Sequence, residues 1–284
     1  MITQARASDI PEMEAFLAAH ADTSMFLRSN LDGFGVGMGT HRRSTDFYLW
    51  CVGDAIAGVF GITRSGNLMA QAPGAPAEVT AAFARAIAGR RVEAMTGPPQ
   101  IVRAVLAACG LNSAPFALQH DEPLYRLDLA CLGDPGRHIR RPATADLPIL
   151  TEWFAAYMAE TASAPPEGAH ALAQMRAEEA VAGNSVRVLD DGGTPAAMAA
   201  LNAAVADYVQ VGGVFVPPAR RGRGLGAAVT AALLRELREE EGARVAILFA
   251  ATPAAARVYE GIGFIRVGTY RVAILRAPAP VVPQ

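Results

Sequence analysis

The sequence has few of the residues that build disulfide frameworks or metal sites. Its 284 residues include only three cysteines, Cys51, Cys109 and Cys131, which lie far apart and show no metal-type spacing. An odd, sparse set of cysteines is typical of a reducing cytoplasm, and we interpret all three as small buried apolar residues. The sequence therefore predicts a cytoplasmic protein without a bound metal.

Excess charge and long apolar runs are missing as well. The formal net charge is −2, without the basic excess that is usual in nucleic-acid-binding domains. The N-terminus lacks the basic and apolar regions of a signal peptide, and the apolar stretches are interrupted well before the ~20 residues that span a bilayer. We expect no nucleic-acid and no membrane partner, and a monomer or a homodimer. A hydrophobic content of 52% allows substantial cores.

Two related halves can be recognised in the chain. A short strand, a turn and an amphipathic helix begin at Arg6–Pro11 and again at Pro142–Pro148. The ends match too, because Glu122–Leu129 resembles Gly268–Leu275. We predict an internal duplication with the following divisions: a first domain at 1–131, a turn-rich linker at 132–137, a second domain at 138–277 and a Pro-rich tail at 278–284.

The second half alternates strands and helices. Ser185–Leu189, Tyr208–Val216 and Val245–Ala250 are predicted strands, whereas Pro195–Ala206 is too rich in alanine to assign from its period. A helix follows the Gly-rich loop after the second strand, and Thr252-Pro253 begins another helix with a cap and a proline. This order indicates an α/β fold with a mixed sheet.

The Gly-rich loop, Arg221-Gly222-Arg223-Gly224-Leu225-Gly226, joins a buried strand to a helix. Glycines let successive backbone N–H groups approach an anion, and the helix N-terminus favours a negatively charged ligand. The positive charges of the arginines strengthen this attraction. The expected guest is a phosphate or pyrophosphate. The glycine spacing matches neither the dinucleotide fingerprint nor the P-loop. A disordered Arg-Gly segment that binds RNA is disfavoured, since the run is short and lacks aromatic residues.

At this point the sequence resembles the GNAT superfamily of N-acetyltransferases. The family's Arg/Gln-x-x-Gly-x-Gly/Ala core falls on Arg221, Gly224 and Gly226, and Thr252–Phe264 is similar to the family's late helix with its Tyr and Gly-Phe ending. The resemblance covers residues from about 137 to 276. It implies tandem GNAT-like αβα domains, the first degenerate, with acetyl-CoA as co-substrate.

The resemblance also implies which residues bind and react. Tyr259 is the expected proton donor to the departing thiolate. Gly212-Gly213 would permit the strand distortion that exposes main-chain groups to the thioester arm. The expected coenzyme contacts are Val214, Phe215, Val216, Arg221, Gly222, Arg223, Gly224, Leu225, Gly226 and Ala227.

A general base is not selected by any spacing argument. Glu160, Glu167, His170 and Asp207 are possible, although each is also typical of a solvated surface. We therefore assign the base role to none of them.

The first half lacks the features of a coenzyme loop. The corresponding stretch, Ala72–Glu78, contains no arginine and places Glu78 where a phosphate favours positive charge. We expect this half to bind no coenzyme and hypothesise that it closes one side of the substrate cleft. Thr23–Gly33 has no clean period and is interpreted as a surface loop, with the acceptor pocket as an alternative.

These observations favour transfer of an acetyl group from acetyl-CoA to a primary amine. An enclosed site under the first half would suit a small-molecule acceptor, and the tandem layout also resembles that of mycothiol synthases. Two alternatives stay open at this stage. One is a non-catalytic acyl-CoA-binding or regulatory module, and the other is an acetyltransferase that modifies proteins or peptides.

Overall fold

The structure is a computed structural model that describes residues 2–133, 136–162 and 168–284. The chain divides into two compact units. Unit 1 consists of Met1–Glu122 together with Thr269–Gln284, and unit 2 consists of Pro123–Gly268.

The same order of helices and strands occurs twice along the chain, which supports the predicted duplication. The first series is β1 (Ile2–Gln4), α1 (Ile10–Ala18), α2 (Ala21–Phe34), β2 (Thr45–Val52), β3 (Ala55–Thr63), β4 (Asn67–Gln71), α3 (Ala77–Ala86), β5 (Arg91–Gly97), α4 (Pro99–Ala108) and β6 (Phe116–Asp128). The second is β7 (Ile139–Arg140), α5 (Leu147–Thr161), α6 (Ala169–Ala182), β8 (Val186–Asp191), β9 (Thr194–Val205), β10 (Tyr208–Phe215), α7 (Leu225–Glu240), β11 (Val245–Phe249), α8 (Pro253–Gly261) and β12 (Ile265–Pro280).

Both series begin with the same capped turn. The Arg6 N–H donates to the Asp9 carboxylate at 2.8 Å, and the Ala143 N–H donates to the Asp146 carboxylate at 2.7 Å. Each aspartate precedes a helix with proline in its first turn. Because proline has no backbone N–H, it needs no hydrogen-bond acceptor at this position. The recurring sequence pattern therefore encodes a recurring local structure.

Each unit contains a mixed sheet whose last strand comes from the other half of the sequence. In unit 1 the order is β1-β2-β3-β4-β5, and β12 pairs with β5 from Arg271↔Gly97 to Pro280↔Arg91. In unit 2 the order is β7-β8-β9-β10-β11, and β6 pairs with β11 from Asp128↔Val245 to Leu124↔Phe249. Within each sheet the fourth and fifth strands run parallel, and the other pairs are antiparallel.

The compact units therefore do not coincide with the predicted division at 131 and 138. Turn-forming residues show where the chain turns, but they carry no information about which strand it pairs with afterwards. Part of the linker, Asp134-Pro135, lies outside the described residues. The predicted tail is a packed part of unit 1, where Val281 is buried and its N–H donates to the Arg90 carbonyl at 2.9 Å.

Helices cover both faces of each sheet. In unit 2, Val209 and Val211 pack with α7 on one face, and Phe215 packs with α5 and α6 on the other. In unit 1, α3 and α4 cover one face, whereas α1 and α2 cover the opposite face. The result is an αβα layering in each unit, as the sequence predicted.

Two interpretations of the first half were wrong or only partly right. Thr23–Gly33 is not a surface loop but lies within α2, because Leu27 and Leu31, four residues apart, face the core. Of the three cysteines, Cys109 is buried, Cys51 is half-buried and Cys131 is exposed. None of the described helices combines the length and apolar character that crossing a membrane requires.

Candidate functional site

The first component of the site is a gap between two parallel strands of unit 2. β10 pairs with β11 at Tyr208↔Val245, Val209↔Ala246 and Gln210↔Ile247. Beyond Gln210 this pairing ends, although β10 continues for five residues to Phe215. At about 3.3 Å per residue, the open edge is ~17 Å long. Its backbone groups lack the neighbouring strand that would satisfy them, so an extended ligand can take that place.

β10 is irregular where it diverges from β11. Its register against β9 shifts between Gln210 and Val211 and again between Gly212 and Phe215, and Gly213 has a positive φ of +56°. A Cβ on Gly212 would lie 2.2 Å from the Asn202 Nδ2 atom. The strand is distorted at Gly212-Gly213 as predicted, and the positive φ of Gly213 is a conformation that favours glycine.

The second component is the loop that follows β10. A 3-10 turn at Pro218–Arg220 leads into Gly222 and Gly224, whose φ values are +76° and +73°. None of the backbone N–H groups of residues 222–227 donates a hydrogen bond within the described part of the chain, whereas the Ala228 N–H already donates to Gly224. Six consecutive free donors at a helix N-terminus form an anion-binding cradle.

Arginines flank this cradle, each held by a carboxylate. Arg221 Nη2 lies 2.7 and 2.8 Å from the two carboxylate oxygens of Glu160, and its Nε donates to the Val216 carbonyl. Arg223 donates to Asp191 at 2.8 Å. Both side chains of the Arg221–Glu160 pair are nearly half exposed, at 46% and 45%. Such pairs contribute roughly 0–1 kcal/mol, so a phosphate can replace the carboxylate at little cost.

The third component is Tyr259, which lies on α8. The helix begins at Thr252, whose hydroxyl accepts the Ala255 N–H at 3.1 Å, as its cap-and-proline sequence predicted. Tyr259 is 9% exposed and packs edge-on against Phe264, with ring centroids 6.0 Å apart. Burial raises the pKa of the phenol above its ordinary value, and repulsion from Tyr157 adds to this. Tyr259 therefore stays protonated at neutral pH and is available as a proton donor.

Comparison with known families agrees with this geometry. Residues 155–273 match the family model described as "Acetyltransferase (GNAT) domain". This part of the chain is therefore similar to a GNAT acetyltransferase domain. This domain includes the β10–β11 gap, the Arg/Gly loop and the α8 tyrosine, the three components of the site.

Solved structures with a similar fold extend over the whole chain. A Drosophila protein shares 14% identity at a TM-score of 0.62, covering 97% of this chain and 98% of its own. A GCN5-related N-acetyltransferase from Sphaerobacter thermophilus shares 15% sequence identity at a TM-score of 0.56, and the match covers 100% of this chain and 96% of its own. A tandem GNAT protein from the clavulanic acid biosynthesis pathway shares 15% sequence identity at a TM-score of 0.53, and the match covers 100% of this chain and 99% of its own. These likenesses show the fold, and no curated protein matches the sequence significantly.

The residues considered as general bases are dispersed over the GNAT domain. Glu160 is held by Arg221, and Glu167 lies outside the described residues. His170 is exposed and lines a groove of about 350 Å³ between α5 and α6. Asp207 lies in the β9–β10 turn, where its carbonyl accepts the Arg244 and Val245 N–H groups. The structure thus adds no support for any of them, and within the described residues no cluster of metal-ligating side chains is present.

Sequence reasoning missed one polar residue in the site. Gln210 lies at the apex of the gap, where β10 and β11 separate, and is fully buried. The signal was present in the sequence, because Gln210 is the single side chain with hydrogen-bonding amide atoms in the otherwise apolar strand that ends at Phe215. The expected contacts Val214 and Val216 are half-buried beside the gap, whereas the Leu225 side chain belongs to the core and only its backbone faces the cradle.

In unit 1 the corresponding parallel strands, β4 and β5, do not diverge. β4 and β5 pair at Met69↔Thr96, and one residue further a Cβ on Gly97 would lie 2.9 Å from the Ala70 carbonyl oxygen. The register of β4 against β3 shows no bulge. The following helix, α3, begins after Pro76 and has the exposed Glu78 in its first turn. The first half therefore lacks the gap as well as the arginines, in agreement with a degenerate copy.

We predict that Glu160→Gln binds coenzyme more tightly than the wild type. The substitution removes the carboxylate that occupies Arg221 and repels a phosphate. Because the pair is exposed, we expect the dissociation constant for CoA to fall by up to about fivefold, and less at high salt. Isothermal titration calorimetry measures this. Glu152→Gln, at an exposed carboxylate of the same helix, is the control, and an unchanged affinity in Glu160→Gln would contradict the competition.

Proposed function

We propose that the GNAT domain transfers an acetyl group from acetyl-CoA to a primary amine of a small molecule. The observation that carries the proposal is the combination of six free N–H donors in residues 222–227 with the open edge of β10. The cradle suits a pyrophosphate, and the ~17 Å edge suits an extended arm with amide groups. The two lie end to end along one strand and the loop that follows it.

Each part of this site has a role in the proposal. The N–H groups of residues 222–227, with Arg221 and Arg223, hold the pyrophosphate, and Val214 to Val216 offer backbone groups to the arm. Bound acetyl-CoA supplies the thioester, whose C–S bond breaks as the amine nitrogen bonds to the carbonyl carbon and the electron pair leaves on sulfur. Tyr259 gives its proton to that sulfur and recovers one from water, and the proton lost by the nitrogen passes to solvent.

A second candidate function is a module that binds acyl-CoA without catalysis. It is favoured by one observation: among the described residues, the structure adds no support for any of the candidate general bases. A protein-modifying acetyltransferase is the third possibility. Binding is common to all three, so binding is the first property to measure.

The test is thermal unfolding with and without acetyl-CoA. Coenzyme at ~100 times its dissociation constant adds ~2.7 kcal/mol to the stability of the unit that binds it. The variant Arg221→Glu, Gly224→Asp places two carboxylates in the cradle and should lose this gain. The control Arg85→Glu, Gly74→Asp makes the same changes in unit 1, in the last turn of α3 and in the loop that precedes this helix, and should keep the gain. Absence of any shift in the wild type would refute the coenzyme site.

A panel of acceptors then separates the three functions. CoA thiol release is followed with small primary amines and with peptides carrying a free amino terminus. The sequence contains no lysine, so no side-chain amine of the protein competes in the assay. Release with small amines supports the proposal, release with peptides alone favours a protein acetyltransferase, and a coenzyme shift without release from any acceptor favours the binding module.

A further inference from the structure

Gln210 is a buried polar side chain that has no hydrogen-bond partner among the described residues. It is 0% exposed, and neither its Nε2 nor its Oε1 atom makes a hydrogen bond within the described part of the chain. Native proteins satisfy nearly all such groups, because burying an amide without hydrogen bonds costs free energy. A carboxamide that keeps one free donor and one free acceptor therefore needs a functional explanation.

Its surroundings on the sheet provide no partner. The cross-strand neighbours are Ala203 on β9 and Ile247 on β11, which are both apolar and buried. Val209 and Val211 pack with α7, so the alternation of a strand directs Gln210 to the opposite face, the one that α5 and α6 cover. The carboxamide is thus buried on a sheet face that packs against apolar residues of α5 and α6.

The position of Gln210 along β10 indicates which part of a bound ligand its side chain can contact. The open edge extends from the cradle at the C-terminal end of β10 to Gln210, the last residue paired with β11. A ligand held by its phosphates at the cradle and extended along this edge ends at Gln210. In an acyl-CoA the far end of that arm is the thioester, and the acyl carbonyl is the group there that accepts hydrogen bonds.

We propose that Gln210 recognises the acyl group, with Nε2 donating a hydrogen bond to the thioester carbonyl oxygen and Oε1 accepting one from the attacking amine. This inference rests on the proposed function. A fixed donor at the carbonyl oxygen stabilises the negative charge that develops there during acyl transfer. Because a carboxamide does not titrate between pH 5 and 10, Gln210 orients the reactants and takes no proton.

The experiment compares the dissociation constants of CoA and acetyl-CoA by isothermal titration calorimetry. If Gln210 contacts the acyl carbonyl, the wild type binds acetyl-CoA more tightly, on the order of fivefold. Gln210→Met keeps the side-chain length without the amide. In this variant the two ligands should bind about equally, with the CoA affinity within about twofold of wild type. Gln174→Met, at an exposed glutamine of α6, is the matched control and should keep the wild-type ratio.

The outcomes are distinct from those that test the proposed function. A wild type that binds neither ligand refutes the coenzyme site itself. Binding with equal affinity for both ligands in the wild type, or an unchanged ratio in Gln210→Met, overturns the role of Gln210. A glutamine that does not contact the acyl group would give the unchanged ratio. If Gln210→Met does not fold, Gln210→Asn, which withdraws the amide by one methylene, is measured by the same ratio.

Discussion

Replacing Tyr259 by phenylalanine lowers kcat by about 100-fold or more while the protein still binds acetyl-CoA. A positioned general acid typically contributes ~10²–10⁴ in rate, and the phenol is the group of α8 that can protonate the leaving sulfur. Loss of a single hydroxyl leaves the ring and its contact with Phe264 in place. The measurement is steady-state turnover with an amine found in the acceptor panel, alongside the thermal shift that reports coenzyme binding.

The matched control removes a hydroxyl from another buried tyrosine. Tyr48 lies in β2 of unit 1 and is 8% exposed, so Tyr48→Phe makes the same chemical change in a similar environment. Its turnover should stay within about twofold of wild type. Equal turnover of Tyr259→Phe and the wild type would exclude Tyr259 from the mechanism.

The pH dependence follows from the same burial. Burial raises the pKa of Tyr259 above its ordinary value of 10.0, so the protonated form that donates persists throughout the neutral and moderately alkaline range. Tyr259 therefore introduces no fall in kcat below about pH 10. A decline between pH 8 and 9 that disappears in Tyr259→Phe would show that the phenol titrates lower than its burial implies.

The second large effect concerns the buried ion pair that holds α7. Glu236→Ala should destabilise the protein by ~3 kcal/mol, the lower end of the cost of stranding a buried charge. Arg187 is 1% exposed and its Nη2 lies 2.6 Å from Glu236 Oε1. Its other donors reach the Asn184 and Val186 carbonyls and the Asn184 side chain, which limits the loss. Since the cradle lies at the N-terminus of α7, the pair also fixes the helix of the proposed phosphate site.

Thermal or urea unfolding of the wild type, the two single variants and the double variant measures the coupling free energy between Arg187 and Glu236. A loss of ~3 kcal/mol lowers the melting temperature by roughly 10 °C in a protein of this size. Adding Arg187→Met to Glu236→Ala removes the stranded charge and should recover part of the loss. Glu239→Ala, at an exposed glutamate of the same helix, is the control and should cost less than about 0.5 kcal/mol. A similar small loss in Glu236→Ala would show that Arg187 is satisfied without it.

Most of the candidate site could be predicted from short stretches of the sequence. Strand β10, the Arg/Gly loop, α7 and the start of α8 were all predicted from residues adjacent in the chain. The resemblance to the GNAT family implied the strand distortion as well, and Gly212-Gly213 are residues that permit it. The Ala-rich run at 195–206 resisted assignment, since its strand, β9, forms through pairing with β8 and β10.

What the sequence determined by itself is the alternation of strands and helices in the second half, the duplication, and an Arg/Gly loop placed between a strand and a helix. These depend on backbone preferences and periodicities within a few residues of each other. The tertiary structure alone decided that β6 and β12 complete the sheets of the opposite halves, and that Thr23–Gly33 packs as a helix. It also decided that Gln210 is buried at the apex of the gap, without a hydrogen-bond partner among the residues that the structure describes. Strand partners and burial depend on residues far apart in the chain, whose proximity no local pattern specifies.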